Sequence, residues 1–299
     1  LGITHHDVLS GVRDAVRERH GTDLDFESLE YDDQAVIDAF TRQEFAGVFQ
    51  YDAASARNVC ADLEFAGFSD IAALTALNRP GCTRSGLTES FRQRRQDPEL
   101  IEPLHPIYDK ITADTLGILV YQEQVILIFL LLGGFPPEKA DKMRKIMGKK
   151  LGEAEFRLYF DAFAEGARAN GMPDDQIETL FRSIGKFAEY GFNRAHAAAY
   201  AAVAYWEMWA KVHYPREFVW ALMRHAKDAE EAVAYVAEAK RLGVKILGPD
   251  VQESGPHWTI TDAGIRAGVG TVKHVGKKAV TAIVAGQPFA SPSDFFTKV

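Results

Sequence analysis

Cysteine is scarce in this 299-residue chain, in which only Cys60 and Cys82 occur. The two cysteines form no paired spacing, so the sequence excludes a disulfide framework and a zinc finger. Scarce, unpaired cysteine is typical of a reducing compartment. We therefore expect a cytoplasmic protein.

Long hydrophobic runs are also missing. The longest apolar run, Val125 to Leu132, is far shorter than the roughly 20 residues that cross a bilayer, and no signal-like segment precedes it. We expect this run to form a buried helix and the protein to have no membrane partner. The chain starts at Leu1 rather than Met, from which we expect a piece of a longer polypeptide.

An excess of positive charge is the third absence. The net charge is -8, which excludes a protein coated with basic residues for non-specific binding of nucleic acid. Any contact with a polyanion must be confined to a local patch. The hydrophobic fraction of 47% is enough to build a real core over a length of about two ordinary domains.

The pattern of apolar residues, prolines and glycines predicts a mainly α protein up to about residue 240, followed by a small β-hairpin. Residues 96–115, with three prolines, are predicted to form an exposed connector. The predicted helix limits are a start at Tyr31-Asp32-Asp33, a stop at Pro80-Gly81, a buried helix ending at Gly133-Gly134, a helix from Pro136-Pro137 to Gly148, helices at 151–170, 174–190 and 193–225 with a break near Tyr214-Pro215, a hairpin turn at Asp262 to Gly264, and a last helix after Gly276.

One candidate site lies at the start of an alanine-rich helix. We expect Gly191 to end one helix in a left-handed conformation and Asn193 to cap the next. Asn193, His196 and Tyr200 then fall within roughly 60° of one another on the helix surface. With Lys186 and Arg194 beside them, they suit an anionic ligand at a helix N-terminus. A plain cap with packed side chains explains the same spacing, and the spacing alone does not decide.

Two basic segments stand out in this acidic chain. The corner around Pro80-Gly81 carries Arg79, Arg84, Arg92, Arg94 and Arg95. The segment 139–150 carries Lys139, Lys142, Arg144, Lys145, Lys149 and Lys150 against Asp141 alone. Phosphate binding is one use for the second cluster, and a solvated helix end is the other.

Near the C-terminus, Gly276 and Lys277 open a helix as in half of a helix-hairpin-helix, whose loop amides can hold a DNA phosphate. A simple glycine turn before a packing helix explains these residues as well. The sequence shows no metal-ligand spacing and no serine or cysteine triad. We therefore expect no catalyst that acts alone.

Five segments taken in order carry a resemblance to a known family. They are NRPGCTRSG (78–86), YQEQVI (121–126), ADKMRKIMGKK (140–150), KFAEYGFNRAHAAAYA (186–201) and the YP of 214–215. Together they resemble the fingers region of bacterial C-family replicative DNA polymerases, whose main member is the α subunit of DNA polymerase III. The resemblance implies a helical fingers domain over 1–240, a small β-rich linker over 241–268 and the start of a helix-hairpin-helix region over 269–299.

The resemblance also implies roles for individual residues. Arg144, Lys145, Lys149 and Lys150 would neutralise the triphosphate or the template backbone, Asn193, Arg194, His196 and Tyr200 would frame the incoming dNTP, Arg79 would assist them, and Gly276 and Lys277 would contact a DNA phosphate. Primer-template DNA, a sliding clamp and other replisome subunits would be the partners. Leu1-Gly2-Ile3 resembles the end of the family's Lys-x-Asp-x-Leu-Gly pattern, which puts the palm carboxylates and their Mg²⁺ outside this chain and leaves the fragment inactive alone.

Some positions depart from the family pattern. Cys82 stands where the family has a second proline, Ala195 replaces a serine, and Glu189 adds a negative charge beside the proposed phosphate site. These departures indicate a divergent branch, such as a phage or accessory polymerase. A non-catalytic helical module that binds nucleic acid or a replication partner stays open as the alternative.

Overall fold

The computed structural model describes residues 2–148, 153–188 and 190–299. The chain divides into two compact units, and the division passes within one long helix, between Tyr205 and Trp206. We call them the first and second units. The first unit comprises Leu1–Glu30, Phe45–Asp52 and Trp206–Val299, and the second comprises Tyr31–Glu44 and Ala53–Tyr205.

The described residues are mainly helical, as the sequence predicts. The α-helices are α1 Gly2–His20, α2 Gln34–Thr41, α3 Ala54–Val59, α4 Phe68–Leu77, α5 Pro80–Arg84, α6 Leu87–Gln96, α7 Pro106–Ile111, α8 Gln122–Leu131, α9 Pro137–Gly148, α10 Glu153–Arg157, α11 Phe160–Ala169, α12 Asp174–Phe187, α13 Arg194–His213, α14 Pro215–His225, α15 Ala229–Arg241, α16 Lys277–Gly286 and α17 Pro292–Lys298. The strands are β1 Ile246–Leu247, β2 Thr259–Thr261 and β3 Gly264–Arg266.

Several predicted helix limits are confirmed. Asp33 caps α2, because its carboxylate accepts from the N–H groups of Ala35 and Val36. Helix α9 begins at Pro137, and the break between α13 and α14 falls at Tyr214. Each of these residues acts on backbone groups that lie within a few residues of it in the chain.

Two predicted boundaries are wrong. The segment 96–115 is not an exposed connector, because it contains α7, whose Tyr108 and Ile111 are buried. The helix predicted over 151–170 is two described helices, α10 and α11, with Tyr159 at the N-cap position of the second. The predicted stop at Pro80-Gly81 is confirmed, since α4 ends at Leu77, and Pro80 then occupies the first turn of α5.

Aromatic packing holds the core of the second unit. The Phe129 ring of α8 lies 5.0 Å from Phe163 of α11 and 6.0 Å from Phe181 of α12, measured between centroids. Gly166 lets α11 approach the backbone after α8, because a Cβ there would lie 2.0 Å from the Gly133 carbonyl oxygen. This core fixes α8 and α12, whose ends border the candidate site.

The first unit buries several charged groups. Glu207 on α13 is fully buried and accepts from the Phe49 N–H at 2.6 Å, and His5 Nδ1 lies 2.6 Å from its other oxygen. Burial raises the pKa of the Glu207 carboxyl, although both hydrogen bonds oppose that change. Lys211, also buried, donates to the Ala46 carbonyl and pairs with Glu238.

The predicted hairpin is confirmed: β2 and β3 pair antiparallel, with Ile260 opposite Ile265. Strand β1 adds a parallel pair with β3 that the sequence analysis did not predict, since two residues carry no periodicity. Beyond the sheet, Val269, Ile283 and Phe289 form a small buried cluster beneath α16. In the part of the chain that the structure describes, no helix is long and apolar enough to span a membrane.

Candidate functional site

The start of α13 is capped as the sequence predicts. The Asn193 side-chain oxygen accepts from the His196 N–H at 2.8 Å. The left-handed conformation expected at Gly191 is wrong, since its φ lies outside the positive region. Glycine is needed there for space, because a Cβ would lie 2.9 Å from the Phe187 ring.

Aromatic rings line one face of this helix start. The His196 ring lies 4.1 Å from Tyr200 and 5.4 Å from Phe192, measured between centroids. His196 is exposed and Tyr200 is half-buried. The predicted neighbourhood of imidazole and phenol on one helix face is therefore present, with surface open to a planar ligand.

Glu123 occupies the N-terminus of α13. One of its oxygens accepts from the Arg194 N–H at 2.9 Å, and the other accepts from the Asn193 side-chain nitrogen at 2.7 Å. A carboxylate at this position satisfies a free helix donor and complements the helix dipole. Sequence reasoning missed Glu123, although the YQEQVI motif contains it.

The backbone before α8 holds the two helix starts side by side. Tyr121 forms a parallel bridge with Phe192, in which the Gln122 N–H donates to the Phe192 carbonyl at 2.9 Å. The Arg194 guanidinium pairs with Asp114 at 2.5 Å and lies 5.5 Å from the centre of the Tyr121 ring. Arg194 thus has an internal partner, and Asp114 is a second residue that sequence reasoning missed.

Arg79 lies against the segment that leads into α13. Its Nη2 donates to the Tyr190 carbonyl at 2.7 Å, its Nε donates to the Ala76 carbonyl at 2.6 Å, and its guanidinium lies 4.4 Å from the centre of the Phe192 ring. The observed role of Arg79 is to hold residues 190–192 in place. Its proposed contact with a nucleotide stays a prediction.

Other arginines of the Pro80-Gly81 corner also serve the protein itself. Arg92 donates to the Ala61 carbonyl at 2.7 Å, and Arg94 donates to the Leu116 carbonyl at 2.8 Å. Arg95 pairs with Asp70, whose side chain is fully buried. Burial raises the pKa of the Asp70 carboxyl, and the Ala66 N–H and Arg95 oppose that change.

The basic face of α9 is different. Arg144 and Lys145 are exposed, and Arg144 pairs with Asp141 of the same helix at 3.0 Å. The hydrogen bond to Asp141 raises the pKa of Arg144, and the charge of Glu123 raises it further. Helix α9 packs against α8, whose first turn holds Glu123 at the start of α13. Lys149, Lys150 and Glu189, which the sequence analysis singled out, lie outside the described residues.

The candidate at Gly276 lies in the first unit. Gly276 is the N-cap of α16, supplies no side-chain cap and has open space where a Cβ would project. Lys277 and Lys278 follow it and are exposed. The first backbone donors of this helix are therefore left without a side-chain acceptor at the cap position.

Within residues 2–148, 153–188 and 190–299, no three His, Cys, Asp or Glu side chains cluster as a metal site. Cys60 and Cys82 are both buried thiols, and burial raises the pKa of Cys60 to about 12. What the second unit does present is a helix start with cations, amides and rings beside a basic helix.

Residues 5–171 match the family described as the bacterial DNA polymerase III alpha subunit finger domain, and residues 243–299 match the helix-hairpin-helix motif. These matches define a polymerase fingers region that leads into a helix-hairpin-helix segment. The chain belongs to the bacterial DNA polymerase III alpha subunit family, as the resemblance predicts.

Curated relatives agree with that assignment. The DNA polymerase III subunit alpha of Mycobacterium tuberculosis H37Rv is 34% identical over 308 residues, covering 100% of this chain and 26% of that protein. The corresponding subunit of Aquifex aeolicus is 34% identical over 303 residues with the same coverage, and that of Staphylococcus aureus COL is 34% identical over 285 residues, or 95% of this chain. The chain spans about a quarter of the length of these relatives.

Proposed function

We propose that this chain is the substrate-handling part of a DNA-directed DNA polymerase, a nucleotidyltransferase. In the complete enzyme it binds the incoming dNTP and the primer-template during DNA replication. The observation that carries the proposal is the exposed cationic face of α9, which packs against α8, together with the amide and aromatic start of α13 that Glu123 of α8 contacts, within a chain of this family. An anionic nucleotide with a planar base needs these two kinds of surface together.

The residues divide by chemistry. Arg144 and Lys145 would neutralise triphosphate or template phosphates, with Lys149 and Lys150 beyond the described residues assigned the same role. Asn193 and Arg194 would orient the nucleotide, and the rings of His196 and Tyr200 would pack against it or the nascent pair. Arg79 would support them by holding Tyr190 and Phe192.

Glu123 limits where the phosphates of a nucleotide can bind. It is an anion on the first donor of α13 and on the Asn193 amide. A nucleotide phosphate would therefore meet the α9 cations rather than the occupied helix terminus, since like charges repel. The Asn193 and Arg194 side chains would act at the sugar or base end of the nucleotide.

Mg²⁺ belongs in this proposal to carboxylates outside the chain. The described residues contain no cluster of three metal-ligating side chains. When bound, two Mg²⁺ ions stabilise the attacking and leaving oxygens of nucleotidyl transfer. The contribution of this chain is to bind and orient the substrate, so the chain alone would not polymerise DNA.

The helix-hairpin-helix segment would contact the DNA backbone, with Gly276 and Lys277 at a phosphate. A sliding clamp and other replisome subunits would bind through the complete protein, and that protein would act in the cytoplasm. These assignments rest on family membership and on the open N-terminus of α16.

Two matched arginine-aspartate pairs provide the test. Arg194 pairs with Asp114 at 2.5 Å and Arg168 pairs with Asp174 at 2.6 Å, and both guanidiniums are about half exposed. In the complete polymerase on a dideoxy-terminated primer-template, the correct next dNTP should slow DNA dissociation. Arg194→Ala should weaken that effect about tenfold, whereas Arg168→Ala should leave it unchanged.

The alternative of a non-catalytic nucleic-acid module predicts something else. Its DNA binding would depend on salt and would not respond to the incoming nucleotide. If the unmodified polymerase showed no nucleotide-dependent retention of DNA, that alternative would replace the proposed function. Equal behaviour of the Arg194 and Arg168 variants would remove only Arg194 from the site.

A further inference from the structure

A cavity of about 560 Å³ opens in the second unit. Its walls come from α6, from residues 117–119 and from the C-terminal half of α12. This volume falls within the range of sites that enclose small organic ligands. Lys186, one of its lining residues, also flanks the Asn193 candidate site in the sequence, and the roles proposed above for individual side chains do not use the cavity.

The floor of the cavity is apolar and well packed. Ile118 and Leu119 are 5% and 6% exposed, and the ring of Tyr108 is buried beside them. The Tyr108 hydroxyl donates to the Gly117 carbonyl at 3.1 Å, so the ring presents its apolar body to the cavity. A hydrophobic or aromatic group would lose little hydration and gain contacts on this floor.

The rim has a single sign of charge. Among the described lining residues the ionised side chains are Lys186 and Arg94, and no carboxylate is among them. Lys186 is exposed and makes no hydrogen bond or ion pair within the described part of the chain. Arg94 donates to the Leu116 carbonyl, so Lys186 is the lining cation left to meet an anion.

We propose that this cavity binds an amphipathic organic anion. The apolar or aromatic body would lie on Ile118 and Leu119, and a carboxylate, sulfonate or phosphate group would meet Lys186 at the rim. Ser183 on α12 stands one turn before Lys186, at the entrance. A ligand seated in this way would be held by hydrophobic burial and oriented by one charge contact.

The position of the cavity gives such a ligand a route to the candidate site. Tyr190 lines the cavity, and its carbonyl accepts from Arg79, which also lies on Phe192. A ligand that moves Tyr190 would therefore move the segment leading into Asn193. This coupling rests on the proposed function, whereas binding itself does not.

The probe is 8-anilino-1-naphthalenesulfonate, an aromatic sulfonate whose fluorescence rises in apolar surroundings, titrated into the complete polymerase without DNA or nucleotide. Ser183→Trp, which places an indole at the entrance, should remove one saturable site. Thr179→Trp, one turn earlier on the same exposed helix face, should leave all sites intact. The two variants carry the same added ring, so only its place differs.

The charge contact has its own test. Lys186→Gln should weaken the same site about fivefold, the effect of one partly exposed charge pair, and Lys240→Gln on α15 should not. The uncharged analogue N-phenyl-1-naphthylamine should be insensitive to Lys186→Gln. Unchanged stoichiometry in Ser183→Trp, or an affinity independent of Lys186, would overturn the proposal.

Coupling is measured separately. The sulfonate should alter the nucleotide-dependent retention of DNA in the unmodified polymerase and in Thr179→Trp, but not in Ser183→Trp. Binding without this effect would overturn the coupling and leave the binding site. A polymerase with no nucleotide-dependent retention at all would be a failure of the proposed function, which the binding titration detects independently because it contains no nucleotide.

Discussion

Two basic clusters that look alike in the sequence are used in opposite ways. In the corner around Pro80-Gly81, Arg79, Arg92 and Arg94 donate to backbone carbonyls, and Arg95 pairs with the buried Asp70. On α9, Arg144 and Lys145 are exposed, and the aspartate partner of Arg144 is exposed as well. The acceptors around a cation, rather than its place in a basic run, therefore determine whether it stabilises the fold or is available to bind a ligand.

The physical reason lies in the ends of helices and loops. The Ala76 carbonyl belongs to the last turn of α4, and the Ala61 carbonyl follows α3, where no further helical N–H is present to meet it. Arginine suits such positions because its planar guanidinium carries several donors in a fixed geometry. An exposed face such as that of α9 offers no such carbonyls and leaves its cations for a ligand or for water.

The largest effect should come from the buried pair. Arg95→Met leaves Asp70 buried without its cation, and we expect a loss of about 3 kcal/mol or more in the free energy of unfolding. Arg144→Met makes the same replacement on an exposed helix face and should change that free energy by less than about 0.5 kcal/mol. Urea denaturation followed by circular dichroism measures both. Similar losses in the two variants would show that the buried pair of Arg95 contributes no more to stability than the exposed pair of Arg144.

A smaller effect is expected at Arg79. Lysine in its place keeps the charge but cannot donate to both carbonyls in the same geometry, so Arg79→Lys should lower the free energy of unfolding by about 2 kcal/mol. Arg84→Lys in the next helix is the control, because Arg84 is exposed and makes no hydrogen bond within the described residues. If Arg79→Lys left the free energy of unfolding unchanged, the contacts of Arg79 with the carbonyls would contribute little to stability.

The exposed cluster should affect binding rather than folding. In the complete polymerase, Arg144→Ala with Lys145→Ala should raise the nucleotide KM or lower kcat about tenfold, a loss of about 1.4 kcal/mol in transition-state binding. The thermal transition should hardly move. Steady-state kinetics of nucleotide incorporation measure the change in KM and kcat, with Lys240→Ala as the control. Unchanged kinetics would show that the α9 cations only face solvent and do not bind the nucleotide.

The smallest effect concerns pH. Burial raises the pKa of Asp70 above its usual 3.8, so the folded state holds this proton more tightly, and the contribution of Asp70 to stability falls as pH rises above about 4. The Arg144 hydrogen bond lowers the pKa of Asp141, so its contribution is present at neutral pH and is lost as pH falls below about 4.

Unfolding free energies measured between pH 3.5 and 6.5 separate the two aspartates. Relative to Asp70→Asn, the unmodified chain should become less stable as pH rises. Relative to Asp141→Asn, it should become more stable over the same range. Slopes of the same sign would mean that burial does not distinguish the two clusters.

Local signals in the sequence were reliable because their partners lie within a few residues. Asp33 and Asn193 cap the helices predicted for them, and Pro137 begins α9. The connector predicted at 96–115 failed because Tyr108 and Ile111 are buried by residues that its prolines do not reveal. The left-handed conformation predicted at Gly191 is wrong because glycine is needed there for space beside the Phe187 ring.

The class of this protein follows from the amino-acid order alone: a mainly α chain, the caps and breaks of its helices, and membership in a polymerase family through five ordered motifs. The contact of Glu123 with the start of α13, the pairing of Arg194 with Asp114 across 80 positions and the internal contacts of the corner arginines required the folded chain. Caps and breaks depend on adjacent backbone groups, whereas a charge takes its role from whichever acceptor the folded chain brings to it.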